Sequence, residues 1–191
     1  MIDLADYSVH DRLKDGTEVT VRAIRPGDGQ AILEAFRALD AESIYRRFFS
    51  PKKELSDAEL RQLTDVDFQS VVALVVTAQK GGAEVLLGGA RLATEGGDHP
   101  QSAELAFLTA GAQRGRGIAS LLLRHLTSLG REAGLSRLEA DVLGENQAML
   151  NVFRRSGLPL AQHREGSVLH VTLTLGDPSI STRRAGLRTS P

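Results

Sequence analysis

Arg114-Gly115-Arg116-Gly117-Ile118-Ala119 is the stretch whose reading decides the fold. It follows an apolar run, Ala103-Glu104-Leu105-Ala106-Phe107-Leu108, that reads as a strand. It opens a series of apolar residues at helical spacing, Ile118, Leu121, Leu122, Leu126 and Leu129, ending near Gly134. Glycines at a strand-to-helix junction leave backbone N–H groups unobstructed. The helix N-terminus adds unpaired N–H donors and the positive end of the macrodipole. The junction is therefore an anion site, phosphate is the usual anion, and Arg114 and Arg116 bring positive charge to the same place. In isolation the hexapeptide would read as a glycine-rich turn with two solvated arginines.

Two nucleotide-binding motifs fit less well. A P-loop needs Gly-Lys-Ser/Thr at a fixed distance after a first glycine, and no such run occurs. Gly115, Gly117 and Ser120 approximate a dinucleotide fingerprint, with Glu139 and Asp141 in the next apolar run. That fingerprint needs its first glycine tight against the strand, whereas Thr109 to Arg114 intervene here.

Outward from the junction, strand-like and helix-like segments alternate. Thr17 to Ile24 alternates apolar and polar residues and reads as a strand ended by Pro26. Asp28 is a candidate cap for a helix carrying Ala31, Ile32, Ala35, Phe36 and Leu39. A short helix is expected from Glu42 to Phe48, and another after the capping-box pattern Ser56-Asp57-Ala58-Glu59. Ser70–Thr77 and Glu84–Ala93 read as a hairpin turned at Lys80-Gly81-Gly82, followed by a polar loop from Glu95 to Gln101. Leu138–Leu143 is a strand, Glu145–Arg155 a helix stopped by Gly157 and Pro159, and Leu160–Arg164 with Val168–Leu175 a final hairpin. These elements indicate one domain over residues 1–176, an α/β or α+β layer fold around a single mixed sheet. The segment 177–191 is polar and reads as a disordered tail.

Composition narrows the function. The chain has 191 residues, 41% of them hydrophobic, enough for one well-buried core. Its 23 basic and 24 acidic residues give a formal net charge of −1, which favours neither nucleic acid nor a membrane surface. No apolar run approaches the ~18 residues of a spanning helix. The amino terminus lacks a basic region followed by an apolar core, so no secretory leader is expected and a cytoplasmic setting is the simplest inference. Cysteine is absent, which excludes disulfides, thiolate catalysis and Cys-based metal sites. The histidines, His10, His99, His125, His163 and His170, show no zinc spacing, so no metal is expected. His163 and His170 flank the last hairpin and read either as ordinary surface or sheet histidines or as groups that reach the site mouth.

Arg114-x-x-Gly117-x-Ala119 resembles the pyrophosphate loop of the GNAT N-acetyltransferases. The run from Asn146 through Phe153 to Gly157 resembles that superfamily's second coenzyme A segment. Leu13 to Thr17, Arg25 to Asp28 and Glu42 to Ser50 are similar to one branch, the protein lysine acetyltransferases that modify acyl-CoA synthetases. The resemblance covers residues 12 to 175. It implies a GNAT-like fold: a mostly antiparallel twisted sheet, helices on both faces, and a splay between the two central strands. It also implies acetyl-CoA as donor and a lysine amine of a protein, such as an AMP-forming acyl-CoA synthetase, as acceptor.

The resemblance also implies roles for residues. The donor would be held by Phe107, Leu108, Thr109, Arg114, Gly115, Arg116, Gly117, Ile118, Ala119, Asn146 and Phe153. The pyrophosphate would rest on the amides of Gly115 to Ala119, pantetheine would lie along the splayed strand, and the N–H of Leu108 would hold the acetyl carbonyl. Asn146 is equally well a helix cap. Glu104 would be the general base. A free lysine amine titrates at about 10.4, so a proton must be removed near neutral pH. Strand alternation puts Glu104 on one face with Ala106 and Leu108, and burial there would suit it to take that proton. Otherwise it is one more solvated carboxylate. Many superfamily members place a tyrosine where this chain has Phe153, which has no proton to give to the departing thiolate. Neither Tyr7 nor Tyr45 is assigned that role. The segment Arg46-Arg47-Phe48-Phe49 reads as an amphipathic helix end, or as one lip of the acceptor cleft. A small-molecule amine acetyltransferase and a non-catalytic acyl-CoA sensor are the alternative readings, and the two enzymes differ in whether the cleft is open or enclosed.

Overall fold

Leu74, Val75 and Val76 sit at the centre of the longest apolar run and are almost wholly buried, as expected of a strand covered on both faces. The computed structural model describes residues 4–49, 51–94, 100–109 and 113–176. Most of the polar loop after Thr94 and the expected tail at 177–191 lie outside these residues.

The strands are β1 (Ser8–Arg12), β2 (Glu18–Ala23), β3 (Val71–Lys80), β4 (Ala83–Thr94), β5 (Ser102–Thr109), β6 (Arg137–Leu143), β7 (Leu160–Glu165) and β8 (Val168–Thr174). The helices are α1 (Gly29–Arg37), α2 (Ala41–Phe48), α3 (Asp57–Thr64), α4 (Ile118–Glu132) and α5 (Gln147–Arg154). All eight strands join one sheet in the order β1-β2-β3-β4-β5-β6-β8-β7. Every pairing is antiparallel except β5 with β6. That parallel pairing is short: it runs from Ser102 opposite Arg137 to Glu104 opposite Glu139 and stops. Beyond Glu104, β5 keeps β4 as its partner out to Thr109, and the side towards β6 is open. The mixed sheet with its central splay matches the expected architecture.

Each face of the sheet has its own core. On one face α4 and α5 pack Leu122, Leu126, Leu150 and Phe153 against Val21, Leu105 and Leu138. On the other, α1 packs Ile32 and Phe36 with Leu39 and Leu55 against Ala73 and Val75. The helical periodicity read from the sequence supplies these faces directly. Ser56 and Glu59 form the expected capping box at α3.

Two local expectations are corrected. β1 was not foreseen, because its residues Ser8-Val9-His10-Asp11-Arg12 contain a single large apolar side chain and the strand lies at the sheet edge. Asp28 precedes α1 but does not cap it with its side chain. Its carboxylate instead receives the Arg22 guanidinium at 2.7 and 2.8 Å and the Arg25 N–H at 2.7 Å. Arg22 is buried, also meets Glu84 at 2.5 Å, and therefore claims Asp28 more strongly than a solvent-facing helix end does. Among the described residues no helix is long and apolar enough to cross a membrane.

Candidate active site

The splay opens a cleft of about 420 Å³ between β5 and β6. From β5 it is lined by Glu104, Phe107, Leu108 and Thr109. The loop and first turn of α4 contribute Arg114, Gly115, Gly117, Ile118 and Ala119, and the start and core-facing side of α5 contribute Asn146 and Phe153. Residues brought together from three separate segments of sequence therefore face one space.

The loop's geometry follows from its glycines. Gly117 holds φ at +92°, a left-handed conformation that side chains disfavour, and it stands at the N-cap of α4 with no side chain capping the helix. Leu121 N donates to the Gly117 carbonyl at 2.9 Å, so the helix begins immediately and the N–H groups ahead of Leu121 are left unpaired within it. These donors, at the positive end of α4, make a cradle able to receive an anion.

The cations around the cradle are arranged differently from the sequence expectation. Arg114 pairs with Asp40 at 2.8 Å. Arg116 does not line the cleft: its Nε donates to Asp15 at 2.7 Å, its Nη2 to Thr17 at 2.7 Å, and it also bonds Gln113. Both arginines thus pin the loop to neighbouring segments. Asp15 is held below the usual carboxylate range, chiefly by Arg116. Asp40 is lowered to about 2, first by the N–H and hydroxyl of Ser43, which it receives as the cap of α2, and then by Arg114. The cation that lies over the glycines is Lys14. A Cβ added at Gly117 would stand 3.1–3.2 Å from its Cγ, Cδ and Cε, and no ion partner holds its ammonium among the described residues. Lys14 belongs to a segment that reads as branch-like in sequence, but nothing local to it signals a phosphate role.

Three further expectations meet the geometry. Glu104 is exposed where burial was expected, because the loss of β6 pairing beyond it leaves its face of the strand open to the cleft. Leu108 lines the cleft, but its N–H faces the wrong way. The Arg137 N–H donates to the Gln101 carbonyl, and the parallel ladder then turns the peptide groups of odd-numbered β5 residues towards β6. The β4–β5 register is unbroken to Thr109, so the N–H of Leu108 faces β4, and those of Phe107 and Thr109 face the splay. Sequence alternation gave the side-chain face but not the edge to which each amide points. Asn146 does both things weighed for it: its Oδ1 accepts the Met149 N–H at 3.2 Å, and it lines the cleft.

Phe153 is fully buried and meets the Phe107 ring edge-on, with centroids 6.1 Å apart and planes at 66°. It packs α5 onto β5 and offers no proton. Ser43 and Phe49 of the α2 region reach the cleft wall, where Phe49 is exposed. The side chains of Arg46, Arg47 and Phe48 lie outside the described residues. Asp141 on β6 also lines the cleft, a position the sequence reading met only as part of a dinucleotide pattern. Among the described residues no group of three or more His, Cys, Asp or Glu side chains is placed to hold a metal ion.

A mixed sheet that parts between its central strands, with an amide cradle at one end of the gap and a carboxylate at the other, is the architecture of an acyl-CoA-dependent N-acyltransferase. The chain belongs to the acetyltransferase (GNAT) family, which residues 38–158 match. This family transfers an acetyl group from acetyl-CoA to an amine. The chain is 30% identical over 158 residues to the acetyltransferase Pat of Mycolicibacterium smegmatis, an alignment covering 83% of this chain and 46% of that protein. The chain thus spans less than half the length of Pat. It is also 30% identical over 140 residues to an acetyltransferase of Pseudomonas aeruginosa, covering 72% of this chain and 73% of the relative. Its backbone superposes on the GNAT domain of S. lividans PAT with a TM-score of 0.79 at 31% identity, over 87% of this chain and 96% of that domain.

Proposed function

We propose that this protein acetylates the ε-amino group of a lysine in a protein, by direct attack of the amine on acetyl-CoA with Glu104 as general base. The observation that carries the mechanism is the position of Glu104, at the last β5–β6 pair, where the cleft ends and its carboxylate faces open space. An amine arriving from that face meets a proton acceptor beside the strand whose Phe107 and Thr109 amides face the splay. The Phe107 N–H, the nearer of the two to Glu104, is aimed to stabilise the carbonyl oxygen as it gains charge, the kind of interaction that usually contributes most to acyl transfer. The amides at the start of α4, with Lys14 above them, hold the pyrophosphate. With Phe153 in the core, no side chain on α5 protonates the thiolate, and water takes that role.

The protein acceptor is supported by likeness to Pat proteins and by an open cleft with exposed Phe49 at its wall, since a small amine is usually enclosed. An acyl-CoA synthetase is the favoured target, because its active-site lysine works through charge and acetylation removes that charge. The test is direct. An AMP-forming acetyl-CoA synthetase incubated with this protein and acetyl-CoA should lose activity, carry one acetylated lysine by mass spectrometry, and recover on treatment with a deacetylase. Full activity retained across several synthetases, with efficient acetylation of a free amine, would return the small-molecule reading.

A further inference from the structure

The wall of the cleft opposite Glu104 carries a second carboxylate, and its surroundings set it apart. Alternation along β6 sends Leu138, Ala140 and Val142 into the core under α4 and α5, and turns Glu139 and Asp141 to the opposite face. That is the face on which β5 presents Glu104, the register partner of Glu139. Two residues on, where continued pairing would set Ala106 opposite Asp141, the strands have parted and Asp141 lines the gap. Glu104 and Asp141 therefore flank the beginning of the splay from its two sides.

The two carboxylates of β6 are held differently. Glu139 is taken by Arg137, whose Nε donates to it at 2.7 Å. Asp141 is fixed by His170, its register partner on β8, with Nδ1 2.6 Å from Oδ1. The other ring nitrogen of His170 lies 3.3 Å from Glu165, and its ring stacks on His163 of β7 at a centroid separation of 6.4 Å. A row across three strands thus orients Asp141 from behind. Its second oxygen, Oδ2, has no hydrogen-bond partner among the described residues. Among the described residues, the strands around the splay carry on this face Glu104, Glu139, Asp141 and Glu165 against Arg91, Arg137 and His170, a balance that favours a cation even with His170 charged.

A lysine side chain is protonated when it arrives, since its pKa of about 10.4 lies far above neutral pH. The reaction needs that nitrogen held on the acceptor face before its proton is removed, and one carboxylate does not serve both ends of that sequence well. We propose that Asp141, oriented by His170, is the acceptor-binding carboxylate: it receives the cationic nitrogen and selects protonated, flexible aliphatic amines. This deepens the acetyltransfer reading, on which it rests. Asp141 is the group that touches the acceptor, and His170 is a positioning residue that spares the carboxylate the entropy of being ordered at each encounter.

The experiment uses a lysine peptide as acceptor and the same peptide with N6-trimethyl-lysine, which keeps the charge and accepts no acetyl group. In Asp141→Asn, the acceptor KM and the inhibition constant of the trimethyl peptide should both rise about fivefold, the scale of one partly exposed ion pair. Acetyl-CoA affinity by calorimetry should be unchanged and kcat should stay close to wild type. His170→Ala should shift both constants in the same direction by less, and His170→Gln, which keeps a donor, should recover part of that loss. An inhibition constant indifferent to Asp141→Asn overturns the proposal. The trimethyl peptide needs no chemistry, so this readout separates from the base assignment. A wild-type kcat in Glu104→Gln removes Glu104 as base while leaving the Asp141 result standing, whereas a peptide that is neither acetylated nor held through Asp141 removes both.

Discussion

The two walls of the cleft are built on different terms. The proposed donor wall, from Thr109 through the glycine loop to α4 and α5, is made of backbone: amides at a helix start, a left-handed glycine, and a strand edge that has lost its neighbour. Its side chains are mostly occupied in holding it, Arg114 on Asp40, Arg116 on Asp15 and Phe153 in the core. The proposed acceptor wall presents exposed side chains, Glu104, Asp141 and Phe49, on a scaffold of several unrelated segments. Backbone function demands particular residues at fixed spacing, so it leaves a motif. Side-chain function demands only that a group stand in the right place, and many sequences achieve that. The difference predicts that substitutions on the donor wall abolish binding, whereas those on the acceptor wall separate catalysis and recognition from it.

The largest expected effects test that division. Gly117→Glu places a side chain where φ is +92° and where Lys14 packs, and brings negative charge to the phosphate cradle. Calorimetry should find no acetyl-CoA binding by a folded variant, and normal binding would dissolve the donor-wall assignment. Glu104→Gln should lower kcat by about 10²–10⁴-fold, the usual contribution of a general base, with acetyl-CoA affinity kept. Loss of both together would mean that the two walls are not separable.

A stability effect of intermediate size concerns the buried ion pair between β2 and the start of α1. Asp28 read as a helix cap predicts a loss of about 1 kcal/mol on change to alanine. Asp28 as the partner of buried Arg22 predicts a loss of about 3 kcal/mol, because an uncompensated charge is left behind with only Glu84 beside it. Urea denaturation of Asp28→Ala distinguishes the two. Smaller again is Phe49→Ala. It removes an exposed ring at the cleft wall and should raise the KM for a protein acceptor about threefold, on the scale of a peripheral contact rather than a hot spot, with acetyl-CoA binding unaltered.

What the sequence disclosed follows the same line. Helix faces, central strands and the loop were legible because each is set by local spacing: Ile118 to Leu129 at helical period, Leu74 to Val76 as a continuous apolar run, glycines at the junction. β1 was not, because an edge strand buries little and so carries little pattern. Asp28 was misread because its local context suits a cap, while its actual partner, Arg22, is brought to it by the path of β2. The edge to which the Leu108 amide points was not legible, since hydrogen-bonding edge is a property of strand neighbours and not of residue type. Lys14 and Asp141 were met only inside other patterns, because each is an ordinary charged residue until tertiary structure sets it beside the cleft.

The smallest predicted effect contrasts two histidines, one on each side of the sheet. His125 on α4 is buried, accepts the Tyr7 hydroxyl at Nδ1 at 2.6 Å, and faces Asp11 with Nε2 at 3.3 Å. Burial lowers its pKa below the ordinary 6.5, although Asp11 opposes the shift. His170 is partly exposed, and Asp141, followed by Glu165, raises its pKa above 6.5. The two have opposite consequences for stability. Between the folded value of His125 and 6.5 the unfolded chain binds more protons at this site, so the contribution of His125 is present above 6.5 and is lost as pH falls through its lowered value. Above 6.5 the folded chain holds the His170 proton longer, so the contribution of His170 is present below 6.5 and is lost as pH rises through its raised value. Urea midpoints measured from pH 5 to 8 should therefore fall at both ends. His125→Gln should flatten the acid limb and leave the alkaline one, and His170→Gln should do the reverse, more weakly because the pair with Asp141 is solvent-screened. An acid limb unchanged in His125→Gln would place its origin in the carboxylates instead, and would leave the Tyr7–His125–Asp11 contact as packing between β1 and α4.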